Sequence, residues 1–185
     1  MIRSPKVWGA TVRECRVSYP CDRFLEPPYR SYHRAVSVQA PSWMTFRWLC
    51  QLKVGEYTYP LLGSGPRRLT PGSGELAIGQ RFLIFDLVDF RADDHITGVT
   101  APELAAKYGA IAVTYRVVPR NATHSRIIVR SNVAGDAGLP RWLPGPLAWA
   151  DAVLMRKQLL TLKALAERDW QARRAPRAYQ AERYD

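Results

Sequence analysis

From Leu147 to Asp169 apolar residues recur at the spacing of an α-helix. Leu147, Leu154, Met155, Leu159, Leu162, Leu165 and Ala166 share one broad face, and Arg156, Lys157, Lys163, Glu167 and Arg168 take the other. Pro144 and Pro146 precede the run and Pro176 lies beyond it. Proline suits a helix start because it has no N–H to leave unpaired there and its φ is already set. Asp151 and Gln158 interrupt the apolar face. A face sealed against a dry core does not ordinarily carry a carboxylate and an amide, so the pair hints at a cavity spotted with polar groups; Asp151, in the first turns, is also accounted for by the positive end of the helix dipole, the preferred reading for it, which leaves Gln158 as the stronger clue.

Upstream, the pattern changes period. Residues 1–31 hold no sustained repeat and are broken by Pro5, Pro20, Pro27 and Pro28, which predicts an extended arm wrapped on the domain to bury Trp8, Val12, Tyr19, Phe24 and Leu25. A strand is expected over Tyr32–Val38, where Tyr32, Arg34, Val36 and Val38 alternate with His33, Ala35 and Ser37. Ala40 and Pro41 then turn the chain into a helix running to about Leu52, buried through Trp43, Phe46, Leu49 and Cys50. Lys53 to Leu76 reads as a Gly- and Pro-rich loop with aromatics at Tyr57 and Tyr59. Its glycines lack the Lys-Ser/Thr pair and the strand-turn-helix setting of a phosphate-cradling loop.

Strands follow. Gln80–Phe90 is expected as one strand with Phe82, Ile84, Asp86, Val88 and Phe90 on one face, and Leu83, Phe85, Leu87 and Asp89 on the other. A shift of one residue exchanges the faces, so the pattern alone leaves open which side is internal. His95–Thr100 follows an acidic turn, and Pro102–Tyr108 fits a helical turn or a loop. Ala110–Val118 and Ser125–Val133 form a hairpin in which Ile111, Val113, Tyr115 and Val117 match Ile127, Val129 and Ser131, leaving Arg116, Arg126 and Arg130 to solvent. Strand, helix, loop, antiparallel strands and a final helix make an α+β pattern, in which a curved sheet must cover its inner face. The last helix carries the one apolar stripe long enough to do so. The resulting division is an arm over residues 1–31, a domain over 32–170 and a flexible basic tail over 171–185.

Composition narrows the classes. The chain has 185 residues, 47% hydrophobic and 23% charged, which is enough for one core, and no apolar run reaches the length of a bilayer. The first residues lack the hydrophobic stretch of a secretory signal, so a cytoplasmic setting is expected. Cys15, Cys21 and Cys50 have no histidine pattern around them and read as reduced thiols. The net charge of +11 raises a nucleic-acid partner, but the arginines are scattered. A solvated basic surface is the preferred reading, with at most peripheral attraction to anionic lipid and no specific nucleic acid. A monomer or a homodimer is compatible with this surface.

Several phrases resemble, in order and spacing, the SRPBCC superfamily of START-like or Bet v 1-like proteins, in its uncharacterised bacterial, actinobacterial-type branch. They are Tyr19-Pro20-Cys21-Asp22, Ala40-Pro41 followed by Phe46-Arg47-Trp48-Leu49-Cys50-Gln51-Leu52, Ile78-Gly79-Gln80-Arg81, Val113-Thr114-Tyr115-Arg116-Val117, and Met155-Arg156-Lys157-Gln158-Leu159-Leu160, spread from Tyr19 to about Asp169. The resemblance implies a helix-grip fold: a curved antiparallel sheet around a long C-terminal helix, with a mainly apolar cavity between them. It brings no catalytic motif, because functions in this superfamily differ branch by branch. The iron-binding branch uses two histidines and a carboxylate, whereas His33, His95 and His124 fall on separate elements, so no metal and no cofactor are expected.

The expected function is binding of a hydrophobic small molecule, such as a lipid, a polyketide or a related metabolite. The expected ligand-binding residues are Gln158, Met155, Asp151, Leu162 and Tyr115, with Tyr57, Tyr59 and Trp48 at the mouth. The alternative is a polyketide cyclase- or dehydratase-like enzyme moving protons through Asp86, His95, Asp151 or Tyr115. A third reading is a non-enzymatic partner that uses the Arg-rich surface.

Overall fold

The computed structural model describes residues 4–55, 57, 65–134 and 144–174. Its seven strands are β1 (Val7–Trp8), β2 (Tyr29–Val38), β3 (Arg81–Phe82), β4 (Phe85–Arg91), β5 (His95–Thr100), β6 (Ile111–Asn121) and β7 (His124–Ala134). Its helices are α1 (Val12–Arg16), α2 (Ser42–Cys50), α3 (Pro102–Tyr108) and α4 (Pro144–Arg174). The strands form one sheet in the order β1-β2-β7-β6-β5-β4-β3, antiparallel throughout except for the parallel β1–β2 pair. Helix α4 lies along the inner face and α2 closes one end.

Alternation decides which residues face the helix. Across the middle of the sheet Arg34, Val129, Tyr115 and Ile96 stand in register, one on each of four neighbouring strands. Because successive side chains change sides, Val129, Tyr115 and Ile96 of this row and their neighbours Val36, Ile127, Val117 and Val113 meet Leu159, Leu162, Leu165 and Ala166 of α4 in the main core. Trp48 and Tyr57, edge to face at 6.2 Å, fill the region between α2 and α4. The 31-residue α4 begins at Pro144 and continues to Arg174, about two turns of chain more than the Leu147–Asp169 stretch.

The region expected to be one strand over Gln80–Phe90 is a hairpin. The chain reverses at Leu83 and Ile84, and Phe82 comes to face Phe85. This turn has none of the Gly, Asn or Asp that ordinarily mark one; Leu83 itself takes a φ of 52°. A bulge between Leu87 and Asp89 then resets the alternation. Phe85, Leu87 and Phe90 therefore belong to the core side, while Asp86 and Asp89 lie on the outer face. Gly98 sits opposite Leu87 and Val113, where a Cβ would overlap the Phe82 ring and the Phe85 side chain. Its bare backbone lets Phe82 fold over the sheet and reach Tyr115 edge-on at 6.3 Å.

The β6–β7 hairpin has the register read from the pattern, with Val113 opposite Ser131, Tyr115 opposite Val129 and Val117 opposite Ile127. Its strands run on to a two-residue turn at Ala122–Thr123, where the Asn121 side chain accepts the Thr123 N–H at 2.9 Å. Arg126 and Arg130 do lie on the outer face, but they are not open to solvent. The arm covers them.

Thr11 caps α1 in a capping box with Glu14. Glu14 then receives Arg126 Nε at 2.5 Å and Arg120 Nη2 at 3.2 Å. Further along, Asp22 meets Arg130 at 2.9 Å and accepts the Asn132 amide at 2.7 Å. Tyr19 and Cys21 pack on Ala35, Ala112 and Ile128 in a second, smaller core. Trp8 is half-buried, whereas Val12, expected inside, is 67% exposed.

Candidate functional site

Tyr115 stands at the centre of the inner face, fully buried, and its hydroxyl donates to Gln158 Oε1 at 2.9 Å. This bond explains the amide in the apolar stripe. A buried phenol must place its hydrogen somewhere, and α4 supplies the acceptor one turn after Met155, whose sulfur lies 3.5 Å from the same hydroxyl. Burial, and after it the negative charge of Asp151, push the Tyr115 hydroxyl well above the ordinary tyrosine range.

Two turns earlier on α4, Asp151 Oδ2 meets Arg34 Nη2 at 3.2 Å. The Arg34 guanidinium is all but inaccessible, which is unusual for a charge and requires partners. It has them. Nη1 donates to the carbonyls of Lys6 and His33, both at 3.0 Å, and Nη2 donates to Pro5 O at 2.5 Å and to Asp151. The arm thus supplies two of the four acceptors. The sequence signal for Arg34 lies in β2, where an arginine occupies the same parity as Tyr32, Val36 and Val38 and so faces inward with them.

Asp151 differs from its neighbours in one respect. Its side chain keeps 54% of its surface accessible, yet burial raises its carboxyl above the ordinary aspartate value against the opposing pull of Arg34. The inner face of the sheet is unequally exposed along α4. Leu159 and Leu162 are sealed, with Ile127, Val129 and Tyr115 opposite them, whereas Tyr32, Ile111, Ser131, Val133 and Met155 are half-buried. Tyr32 adjoins Asp151 through Arg34, whose guanidinium carbon lies 5.8 Å from the Tyr32 ring centre.

The other candidates separate. Trp48 donates its indole N–H to Asp169 at 3.0 Å, and Tyr57 donates to Pro66 O at 3.1 Å; both are buried packing residues at the α2 end, far along α4 from Asp151. Tyr59 lies outside the described residues. Leu162 is sealed in the core. Asp86 pairs with Arg81 at 2.8 Å on the outer face. His95 is also on the outer face, with Nδ1 3.2 Å from Asp94, whose carboxylate binds Arg116 at 2.8 Å. Asp86 and His95 therefore stand across the sheet from Tyr115. Among the described residues no three His, Cys, Asp or Glu side chains gather as a metal site would need, and no helix is long and apolar enough to cross a membrane.

Solved structures share this architecture. A protein from Arthrobacter aurescens aligns over 75% of this chain and 86% of its own at 12% identity and a TM-score of 0.51. One from Mesorhizobium loti aligns over 75% and 98% at 15% identity and 0.50. Norcoclaurine synthase from Thalictrum flavum aligns over 72% and 87% at 16% identity, with a TM-score of 0.39, a distance at which the likeness says nothing of this chain's site. No family model and no curated protein sequence matches the chain. The sheet curled on its long C-terminal helix defines a helix-grip protein.

Proposed function

We propose that this protein binds an apolar small molecule in the recess between α4 and the β2–β7 side of the sheet. The carrying observation is the graded exposure of the inner face, sealed around Leu159 and Leu162 and accessible around Asp151, Met155 and Ser131. Apolar walls with a few fixed polar groups are the usual make-up of a small-molecule site. In this reading Tyr115 and Gln158 form the floor, whose hydrogen bond is already satisfied, and Asp151 and Met155 meet the ligand. Its place is in the SRPBCC superfamily, in the bacterial branch that the sequence phrases resemble.

A cyclase- or dehydratase-like reaction would need two titratable groups at one substrate atom. Asp86 and His95 are on the wrong face and Tyr115 is sealed, which leaves Asp151 by itself. Binding without chemistry is the better-supported reading. A partner for the Arg-rich surface has less support, since Arg23, Arg81, Arg116, Arg120, Arg126 and Arg130 are each paired with a carboxylate of the chain itself.

Thermal unfolding with lipophilic ligands tests the proposal. A ligand at a hundred times its Kd stabilises the folded state by about 2.7 kcal/mol, a shift that calorimetry resolves. Met155→Trp should fill the recess and remove that shift. A lipophile panel that leaves Tm unmoved, or a shift that persists unchanged in Met155→Trp, would count against the site.

A further inference from the structure

We infer that the outward side of α4 is a docking surface for a membrane rich in anionic lipid. Successive helix positions turn by about 100°, so the stripe that α4 buries in the main core leaves a second stripe pointing away from it. Trp149 and Val153, one turn apart on that second stripe, are 43% and 44% exposed, and Leu160, two turns further, is half-buried outside the main core. Isolated exposed apolar side chains are ordinary on a protein surface. A tryptophan and a valine presented together by one helix form a surface that gains by leaving water.

Two cations share the stripe. Arg156 and Lys157 are exposed beside Val153. Arg116, Arg126 and Arg130 are each neutralised by a carboxylate of the chain. Arg156 has no carboxylate partner among the described residues, and its guanidinium carbon lies 5.5 Å from the ring centre of Trp8 on the edge strand β1. Between Trp149 and Leu160 the one carboxylate is Asp151, which is on the sheet side of the helix and bonded to Arg34. The net charge of +11 adds a longer-range attraction to an anionic surface.

The combination of charge and apolar surface selects the occupant. The phosphates of a nucleic acid would satisfy Arg156 and Lys157 but leave Val153 and Leu160 in water. In the headgroup layer of an anionic bilayer the cations meet lipid phosphates, and the Trp149 indole takes the interfacial position that tryptophan favours. The aliphatic side chains then reach the acyl boundary, with α4 lying in the membrane plane. Asp151 and Met155, placed at the recess above, are on the opposite side of the helix, so docking stands or falls independently of ligand binding.

Co-sedimentation of the full chain with unilamellar vesicles tests this. Vesicles of equal parts phosphatidylglycerol and phosphatidylcholine are expected to bind it at least about tenfold more tightly than phosphatidylcholine alone. Arg156→Gln should weaken that binding about fivefold, the contribution of one basic residue at an anionic surface. Trp149→Ser combined with Val153→Ser should weaken it about tenfold. Arg91→Gln removes the same charge from β4, near the opposite edge of the sheet, and should change binding by less than about twofold. All four side chains are exposed, so these variants leave the core intact. No binding to the anionic vesicles would overturn the inference. So would equal losses in Arg91→Gln and Arg156→Gln, which would mean attraction by overall charge, or binding unchanged by the Trp149 and Val153 substitutions. A homodimer in solution that those two substitutions dissolve would give the surface to a second copy and overturn it as well.

Discussion

Tyr115 and His33 face opposite sides of the sheet and make opposite demands on their surroundings. Tyr115 has found a partner, so Tyr115→Phe leaves the Gln158 carbonyl oxygen buried without its donor. The expected loss is about 1–3 kcal/mol, read as a lower urea midpoint with an unchanged m-value. The double variant Tyr115→Phe with Gln158→Leu should recover part of it, because the Tyr115 hydroxyl and its Gln158 acceptor are then removed together. His33 is buried, and its Nε2 has no hydrogen-bond partner among the described residues. Burial first, then the neighbouring Arg130 and Arg34, hold its imidazole below the usual histidine value against the weaker pull of Asp22. The unfolded chain therefore takes up the proton more readily, at the ordinary value of about 6.5. Stability should be complete above that pH and decline as pH falls below it. His33→Asn is expected to flatten the decline between pH 6.5 and 5, and a decline of the same size in that variant would assign it elsewhere.

At the scale of elements, the arm is held by charge as much as by apolar packing. Burial works against ionisation of Glu14, but the bonds from Arg126 and Thr11 outweigh it and keep the carboxyl below the ordinary glutamate value. With 10% of the Glu14 side chain and 12% of Arg126 accessible, this ion pair is largely desolvated. Glu14→Ala should cost on the order of 3 kcal/mol, since removing one partner strands the other charge. Hydrogen exchange would locate the effect at Tyr19–Arg23 and β1 before the β6–β7 hairpin. Uniform loss of protection over the whole sheet would mean that the arm does not open as a unit. The arm also supplies the Pro5 and Lys6 carbonyls that fix Arg34, so loosening it reaches Asp151 from the other side of the sheet edge.

For the whole molecule, curvature depends on a residue with no side chain. Gly98 admits the Phe82 ring where a Cβ would overlap it, and that ring closes the β3–β4 side over Tyr115. Gly98→Val should cost about 1–3 kcal/mol through overpacking, lowering Tm by about 2–4 °C per kcal/mol in a protein of this size. A Tm within error of the parent would show that the hairpin is free to move aside.

Periodicity carried much of the architecture. The stripe on α4, the β6–β7 register and the inward parity of Tyr115 follow from side-chain spacing of 3.6 and 2 residues, which is a local property of the chain. Gln158 also stood out by itself, because an amide on an apolar stripe demands an explanation, whereas the helix start already accounted for Asp151. The face of Asp86 and Asp89 was decided only in three dimensions. A turn without turn residues at Leu83–Ile84 and a bulge after Leu87 each reset the alternation, and neither leaves a mark in a hydropathy pattern. Tertiary structure likewise decided the partners. Arg34 and Asp151 are 117 residues apart, and only the packing of α4 on β2 sets the carboxylate against a guanidinium whose other hydrogens the arm and β2 have already taken. Spacing determines which side a residue faces; what waits for it there is determined by the fold.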